Sequence, residues 1–175
     1  MTKILTVAIL TAALGLTACT RPDRFGGAGG AGGPGGAGAA GVGTTGLGGP
    51  SDPSSPAYFS QTVGDRVFFA VDQSTLSPQA IATLDAQAQW LGANPDYAAL
   101  IEGHADEQGT REYNVALGAR RANAAREYLV SRGVSPDRLR TISYGKERPV
   151  AVCSEEACYN QNRRAVTVIS LASVS

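Results

Sequence analysis

Two hydrophobic periods alternate along the last two thirds of the chain. In "DRVFFAV" (65–71), Val67, Phe69 and Val71 recur at every second position, the spacing of one strand face. "LSPQAIATLDAQAQWLGANPD" (76–96) changes to helical spacing, with Ile81, Leu84, Ala88 and Leu91 on one stripe. Ser77 is placed as N-cap and Pro78 at the first helical position, while Gly92 and Asn94-Pro95 stop the helix. "YAALIEG" (97–103) predicts a second strand, and a longer helix runs from Thr110 to about Arg132, ended by Gly133. "DRLRTISYG" predicts a third strand, "SEEACYNQNR" a short helix or turn, and "RAVTVISLA" a last strand. In that last strand Ala165, Thr167, Ile169 and Leu171 alternate against Val166, Val168 and Ser170. The order β-α-β-α-β-(α)-β implies an α+β sandwich, with helices packed on one face of a four-stranded mixed sheet.

The N-terminal part follows neither period. Lys3 and the apolar run "ILTVAILTAALGL" form a secretory signal over residues 1–18, too short for a spanning helix. Its ending, Leu16-Thr17-Ala18-Cys19, resembles the lipobox of bacterial lipoproteins, in which the cysteine is cleaved free and acylated. Each buried methylene adds about 0.8 kcal/mol of membrane affinity, so two or three chains on Cys19 make a stable anchor. Thr20 rather than Asp follows, which by the sorting rule described for enteric bacteria favours the outer membrane, with the domain facing the periplasm.

Residues 19–56 read as a tether. Fourteen of the 22 glycines fall within residues 26–49, which hold no charged or aromatic side chain and so offer nothing for a core. Gly-rich coil statistics give this tether an r.m.s. span of roughly 35 Å. Full extension reaches on the order of 120 Å. A single domain of residues 57–175 follows, with no internal repeat.

Charge excludes one class of partner. The 15 basic and 15 acidic residues balance, which gives no global electrostatic case for nucleic acid. Two cysteines remain beyond the anchor, Cys153 and Cys158 in "CSEEAC". Export to an oxidising compartment favours a local disulfide over two free structural thiols.

The chemistry-bearing stretch is "IEGHADEQGTREYNVALGARRANAAREYL" (101–129), which holds the chain's only histidine, His104. A metal there would need carboxylates such as Asp106 and Glu107 to complete its ligands, an unusual donor set for catalytic zinc. As a general base His104 lacks a partnered nucleophile, since no G-x-S-x-G is present. It reads instead as a strand-end histidine that hydrogen-bonds and orients its loop. No metal, cofactor or catalytic residue is expected, and no acid–base pair stands out.

Asn114, Leu117 and Arg121 share one helix stripe, and Leu117 draws that stripe toward the sheet. An arginine drawn inward must find an anion. Asp106, in the loop entering the helix, is the nearest candidate by sequence. The pair is either an internal salt bridge or a split clamp that grips a zwitterion, Asp106 taking an ammonium and Arg121 a carboxylate. Spacing does not separate the two.

"GHADEQGTREYNVALGARRANAAREYL", "ISYGKERP" and "NRRAVTV" together resemble the OmpA-like peptidoglycan-binding domain family. With the lipobox and the tether, the whole is similar to the lipoproteins of that family. The resemblance implies that Asp106 and Arg121 bind diaminopimelate of the peptidoglycan stem peptide. It implies that Asn114 lines the site, that Phe69 and Leu117 supply apolar walls, and that Arg163 of the "NRR" motif lies at its rim. It also implies a non-enzymatic tether between outer membrane and cell wall in the Tol–Pal system, with TolB and other Tol proteins as partners, serving envelope integrity and outer-membrane constriction at division. The alternative is an envelope lipoprotein that acts mainly as a protein-partner module. One position departs from the family pattern: Ala70 stands where relatives often carry the first aspartate of F-D-F-D.

Overall fold

The computed structural model describes residues 48–172, so the signal, Cys19 and most of the tether lie outside the described residues. A short helix α1 (Pro56–Tyr58) continues as a π-helical turn (Phe59–Gly64) into β1 (Arg66–Phe68). Then come α2 (Pro78–Ala93), β2 (Tyr97–His104), α3 (Arg111–Ser131), a 3₁₀ turn (Pro136–Arg138), β3 (Leu139–Gly145), α4 (Glu156–Asn162) and β4 (Arg164–Leu171). The caps stand where their side chains require. Ser77 accepts from Ala80 N–H, and Thr110 accepts from Tyr113 N–H, each satisfying a donor of the first helical turn. Gly133, at φ 94°, takes the left-handed turn that ends α3.

The sheet order is β1-β4-β2-β3. β4 runs antiparallel to both β1 and β2, while β2 and β3 are parallel and need α3 as their crossover. Register puts Val67 opposite Ala165 and Ile101 opposite Thr167, and all four are buried. Their neighbours Phe68 and Val168 point to the other face and are exposed. The covered face meets α2 and α3 in one core that includes Leu84, Leu91, Ile101 and Leu129. The buried amide of Gln87 is satisfied by Thr167 Oγ1 at 2.8 Å and Gly64 O at 2.7 Å.

Two boundaries differ from the periodicity. The first strand ends at Phe68, and Val71 is 53% exposed instead of sharing the face of Val67 and Phe69. The chain turns there: Gln73 N–H bonds Ala70 O, and Asp72 adopts φ 56°. The tether is also shorter at its C-terminal end than residue 56. Ser55 is buried, caps α1 through Tyr58 N–H, and donates its hydroxyl to Gly49 O at 2.7 Å. Pro53 O accepts the indole N–H of Trp90, whose ring packs between Phe59 and Tyr97. A buried indole needs that acceptor, and the residues before Pro56 supply it.

Among the described residues no helix is long and apolar enough to cross a membrane.

Candidate ligand-binding site

The loop from β2 to α3 is where strand, helix and the last segment of the chain converge. Ala105 N–H bonds Gly145 O, which ties the start of the loop to the end of β3. Lys146 Nζ donates to Gly109 O at 2.7 Å. Gly109 sits at φ 88°, a conformation that favours glycine, and Thr110 then starts α3. Between this loop and the turn after β1 lies a cavity of about 290 Å³, lined by Val71, Asp72, Asp106, Gln108, Gly109, Tyr113, Asn114 and Leu117.

Asp106 is 7% exposed and lines this cavity, and its Oδ2 accepts from Arg163 Nη1 at 3.0 Å. Arg163, only 1% exposed, is not at a rim. It follows α4 directly, its own N–H bonds Tyr159 O, and its side chain is enclosed as the counter-ion of Asp106. Glu156 and Asn160 accept from its other terminal nitrogen. Burial by itself lowers the guanidinium's proton affinity, but the hydrogen bonds it donates to Glu156 and Asp106 outweigh that and hold the pKa above its ordinary value.

Arg121 has no exposed surface. No ion pair joins it to Asp106 among the described residues, so the direct salt bridge is not what answers its charge. Three backbone carbonyls do: Nε donates to Gln73 O at 2.8 Å, Nη1 to His104 O at 2.8 Å and Nη2 to Ala70 O at 3.1 Å. Phe69 lies beneath, its ring centroid 5.3 Å from the guanidinium carbon, so its contact is with Arg121 and it is not among the cavity-lining residues. Burial pushes the Arg121 pKa down to about 10, with Asp106 and Asp72 pulling against it, and the side chain stays charged at neutral pH. Arg121 thus stands behind the cavity wall and holds both loops that form it.

Asn114 and Leu117 line the cavity from α3. Asn114 Nδ2 donates to Gln108 O at 2.8 Å, while its buried Oδ1 has no hydrogen-bond partner. That leaves one acceptor for a ligand N–H. Val71, Asp72, Gln108, Gly109 and Tyr113 complete the wall, and sequence reasoning missed them. The Tyr113 hydroxyl donates to Asp72 Oδ1, a link between α3 and the turn after β1 that no periodicity announces.

His104 does not play the part expected of it. Its ring is buried and neither nitrogen has a hydrogen-bond partner; the backbone carbonyl does the orienting, by accepting from Arg121. Burial first, then Arg164 and Arg148, push its pKa down to about 4. Its approach to Glu102, 3.5 Å, is therefore a contact of a neutral ring at neutral pH. No group of three or more metal-ligating side chains occurs among the described residues.

Cys153 and Cys158 are joined by a disulfide, with their Cα atoms 5.8 Å apart. A larger depression of about 530 Å³ beside Trp90 is lined by Pro53, Tyr58, Val63, Gln89 and neighbours with no charged side chain among them. It offers nothing to hold a charged ligand.

A family model described as the OmpA family matches residues 68–163. Over 111 residues the chain is 65% identical to a peptidoglycan-associated lipoprotein of Rhizobium meliloti (strain 1021), a match spanning 63% of each chain. It is 62% identical over 112 residues to the protein of that name from Mesorhizobium japonicum, spanning 64% of this chain and 67% of the other. The crystal structure of the peptidoglycan-associated lipoprotein from Burkholderia pseudomallei superposes with a TM-score of 0.62 at 40% identity, covering 69% of this chain and 98% of that one. The C-terminal domain of Helicobacter pylori MotB shares the fold, with a TM-score of 0.58 at 20% identity over 62% of this chain and 86% of that one.

Proposed function

The chain belongs to the OmpA family, and from that premise we propose that it is an envelope lipoprotein that holds peptidoglycan non-covalently and ties it to the outer membrane. Its relatives carry the name peptidoglycan-associated lipoprotein, and in this reading the chain is a binding protein and not an enzyme. The observation that carries the reading is Asp106, a carboxylate set in the wall of a cavity of about 290 Å³ with Asn114 beside it. The side-chain end of diaminopimelate carries an ammonium and a carboxylate. Asp106 takes the ammonium, Asn114 Oδ1 accepts a further N–H, and Arg121 behind the wall adds the positive charge that favours the carboxylate. Two of the five Arg121 N–H groups are left over by the three carbonyls.

In this reading Cys19 carries the lipid and the Gly-rich segment spans from membrane to wall. The domain works within the Tol–Pal system, with TolB and other Tol proteins as partners, and supports envelope integrity and constriction of the outer membrane at division. Support for these finer roles comes from the likeness to peptidoglycan-associated lipoproteins and from the lipobox wording of residues 16–19.

Calorimetric titration with a diaminopimelate stem peptide, beside a lysine-type peptide lacking the distal carboxylate, tests the site. The first binds and the second does not. Asp106→Asn keeps the shape and a hydrogen bond to Arg163 but removes the charge, so affinity falls by about tenfold or more from the lost charge-assisted contact. Unchanged affinity for the Asn variant would sink the assignment of Asp106. A separate substitution checks the anchor: Cys19→Ala releases the protein from the membrane fraction into the soluble periplasm, and retention in the membrane fraction would overturn the lipid reading.

A further inference from the structure

A carboxylate that grips a ligand must be held at one angle, since a group free to swing loses affinity to its own entropy. Asp106 is held from one side by Arg163, at 3.0 Å. Arg163 is fixed in turn by Glu156 and Asn160, both on α4. A second tie runs parallel to the first. Asn162 Nδ2 donates to Glu107 Oε1 at 2.6 Å, next to Asp106 in the chain. The same Asn162 gathers the preceding loop: its Oδ1 accepts Val150 N–H at 2.9 Å and Ala151 N–H at 3.2 Å, and Nδ2 reaches Ala151 O at 2.8 Å.

The helix that supplies these groups has only seven residues, too few to hold itself together in water. Burial does little for it, because Val152 and Ser154 through Ala157 are exposed. What closes the segment is the Cys153–Cys158 disulfide, which joins the loop before α4 to the middle of that helix. Glu156 lies inside the closed ring, and Asn160 follows it within one turn.

We propose that α4 and its Cys153–Cys158 bridge form a brace that aims Asp106 into the cavity, with Glu156, Asn160 and Asn162 as positioning residues. The inference rests on reading that cavity as the ligand site, and it gives the disulfide a part in affinity that reaches beyond stabilising its own loop. The bridge keeps Glu156 and Asn160 on Arg163, Arg163 keeps the Asp106 carboxylate turned, and the ligand ammonium meets a group that is already in place.

The whole chain, purified in detergent, is compared with Cys153→Ser/Cys158→Ser and with Glu156→Gln by two measurements. One is calorimetric affinity for the diaminopimelate stem peptide. The other is the NMR signal of the Arg163 side-chain Nε–H, read beside the backbone amide signals of β2 and β4. The double variant binds about tenfold more weakly and Glu156→Gln about threefold, the scale of a charge-assisted contact loosened or weakened. In both, the sheet amides stay where they are while the Arg163 signal shifts and exchanges faster with water. Affinity within twofold of wild type together with an unmoved Arg163 signal overturns the brace. If the wild-type chain itself fails to bind the peptide, the functional reading falls, and the Arg163 signal alone then decides the brace: unmoved in the double variant, it is wrong. If the double variant loses its sheet signals, Glu156→Gln decides by the same two criteria.

Discussion

Arg121→Ala lowers the stability of the domain by about 3–4 kcal/mol, more than any ligand contact it could forfeit. The side chain is wholly enclosed and gives one hydrogen bond each to Gln73 O, His104 O and Ala70 O. Truncation leaves those three acceptors facing a void with no donor, and strips Phe69 of the cation over its ring. Against this stands the relief of no longer burying a charge, which is why the loss stays well below the sum of three orphaned carbonyls. For a domain of this size the midpoint of thermal unfolding falls by roughly 12–15 °C. Arg121→Lys keeps the charge but cannot reach three divergent carbonyls from one ammonium, and costs about 2 kcal/mol. Urea unfolding of the two variants measures both. A loss under 1 kcal/mol for Arg121→Ala would show that the three carbonyls are answered by water and that the guanidinium is free for ligand work. The consequence for function is practical: weak wall binding by Arg121→Ala reports a collapsed site unless it is measured where the variant is still folded.

Gly103→Ala is expected to cost about 3 kcal/mol or more, through overpacking that cannot relax. A methyl on Gly103 would lie 1.8 Å from the carbonyl oxygen of Gly118 and 2.5 Å from its carbon. Both are backbone atoms of α3, so the helix itself would have to lift off β2. Gly118→Ala tests the same contact from the other side. Helix propensity alone predicts a gain of about 1 kcal/mol there. The new Cβ, however, would stand 2.4 Å from Ser143 Oγ and 2.8 Å from Gly103 O, so the variant is destabilised instead. Gly92→Ala, in α2 with nothing within 4 Å, is the control that keeps the propensity gain. Chemical denaturation of the three proteins separates the effects, and a Gly118→Ala variant as stable as Gly92→Ala would refute the close approach. This contact matters for the site, because it sets α3 at the height that puts Asn114 and Leu117 into the cavity wall.

Much of this architecture is legible in the sequence. Ser77-Pro78 and Thr110 mark helix starts because their side-chain oxygens accept from orphan N–H groups, a purely local event. The stripe of Asn114, Leu117 and Arg121 is buried as its spacing requires. What the stripe meets was not legible. Arg121 finds carbonyls 17, 48 and 51 residues away along the chain, and Asp106 finds Arg163 at a separation of 57. Of the two readings of Asp106 and Arg121, the direct salt bridge falls for that reason, since each charge is answered by a partner distant in the chain. Val71 failed likewise: its alternation is that of a strand, but β1 stops at Phe68 and the chain turns, which makes Val71 part of the cavity wall.

The sequence by itself determined where α2 and α3 begin, which stripe of each turns inward, and that a charged group on the α3 stripe would be buried. Those follow from side-chain period, capping and the cost of leaving an N–H unanswered, all of which act over a few residues. Only the tertiary structure decided the partner of each buried charge, the order β1-β4-β2-β3, and the tie from the disulfide segment to Asp106. Burial is a property of one position. Pairing is a property of two, and which two meet is set by how whole elements pack.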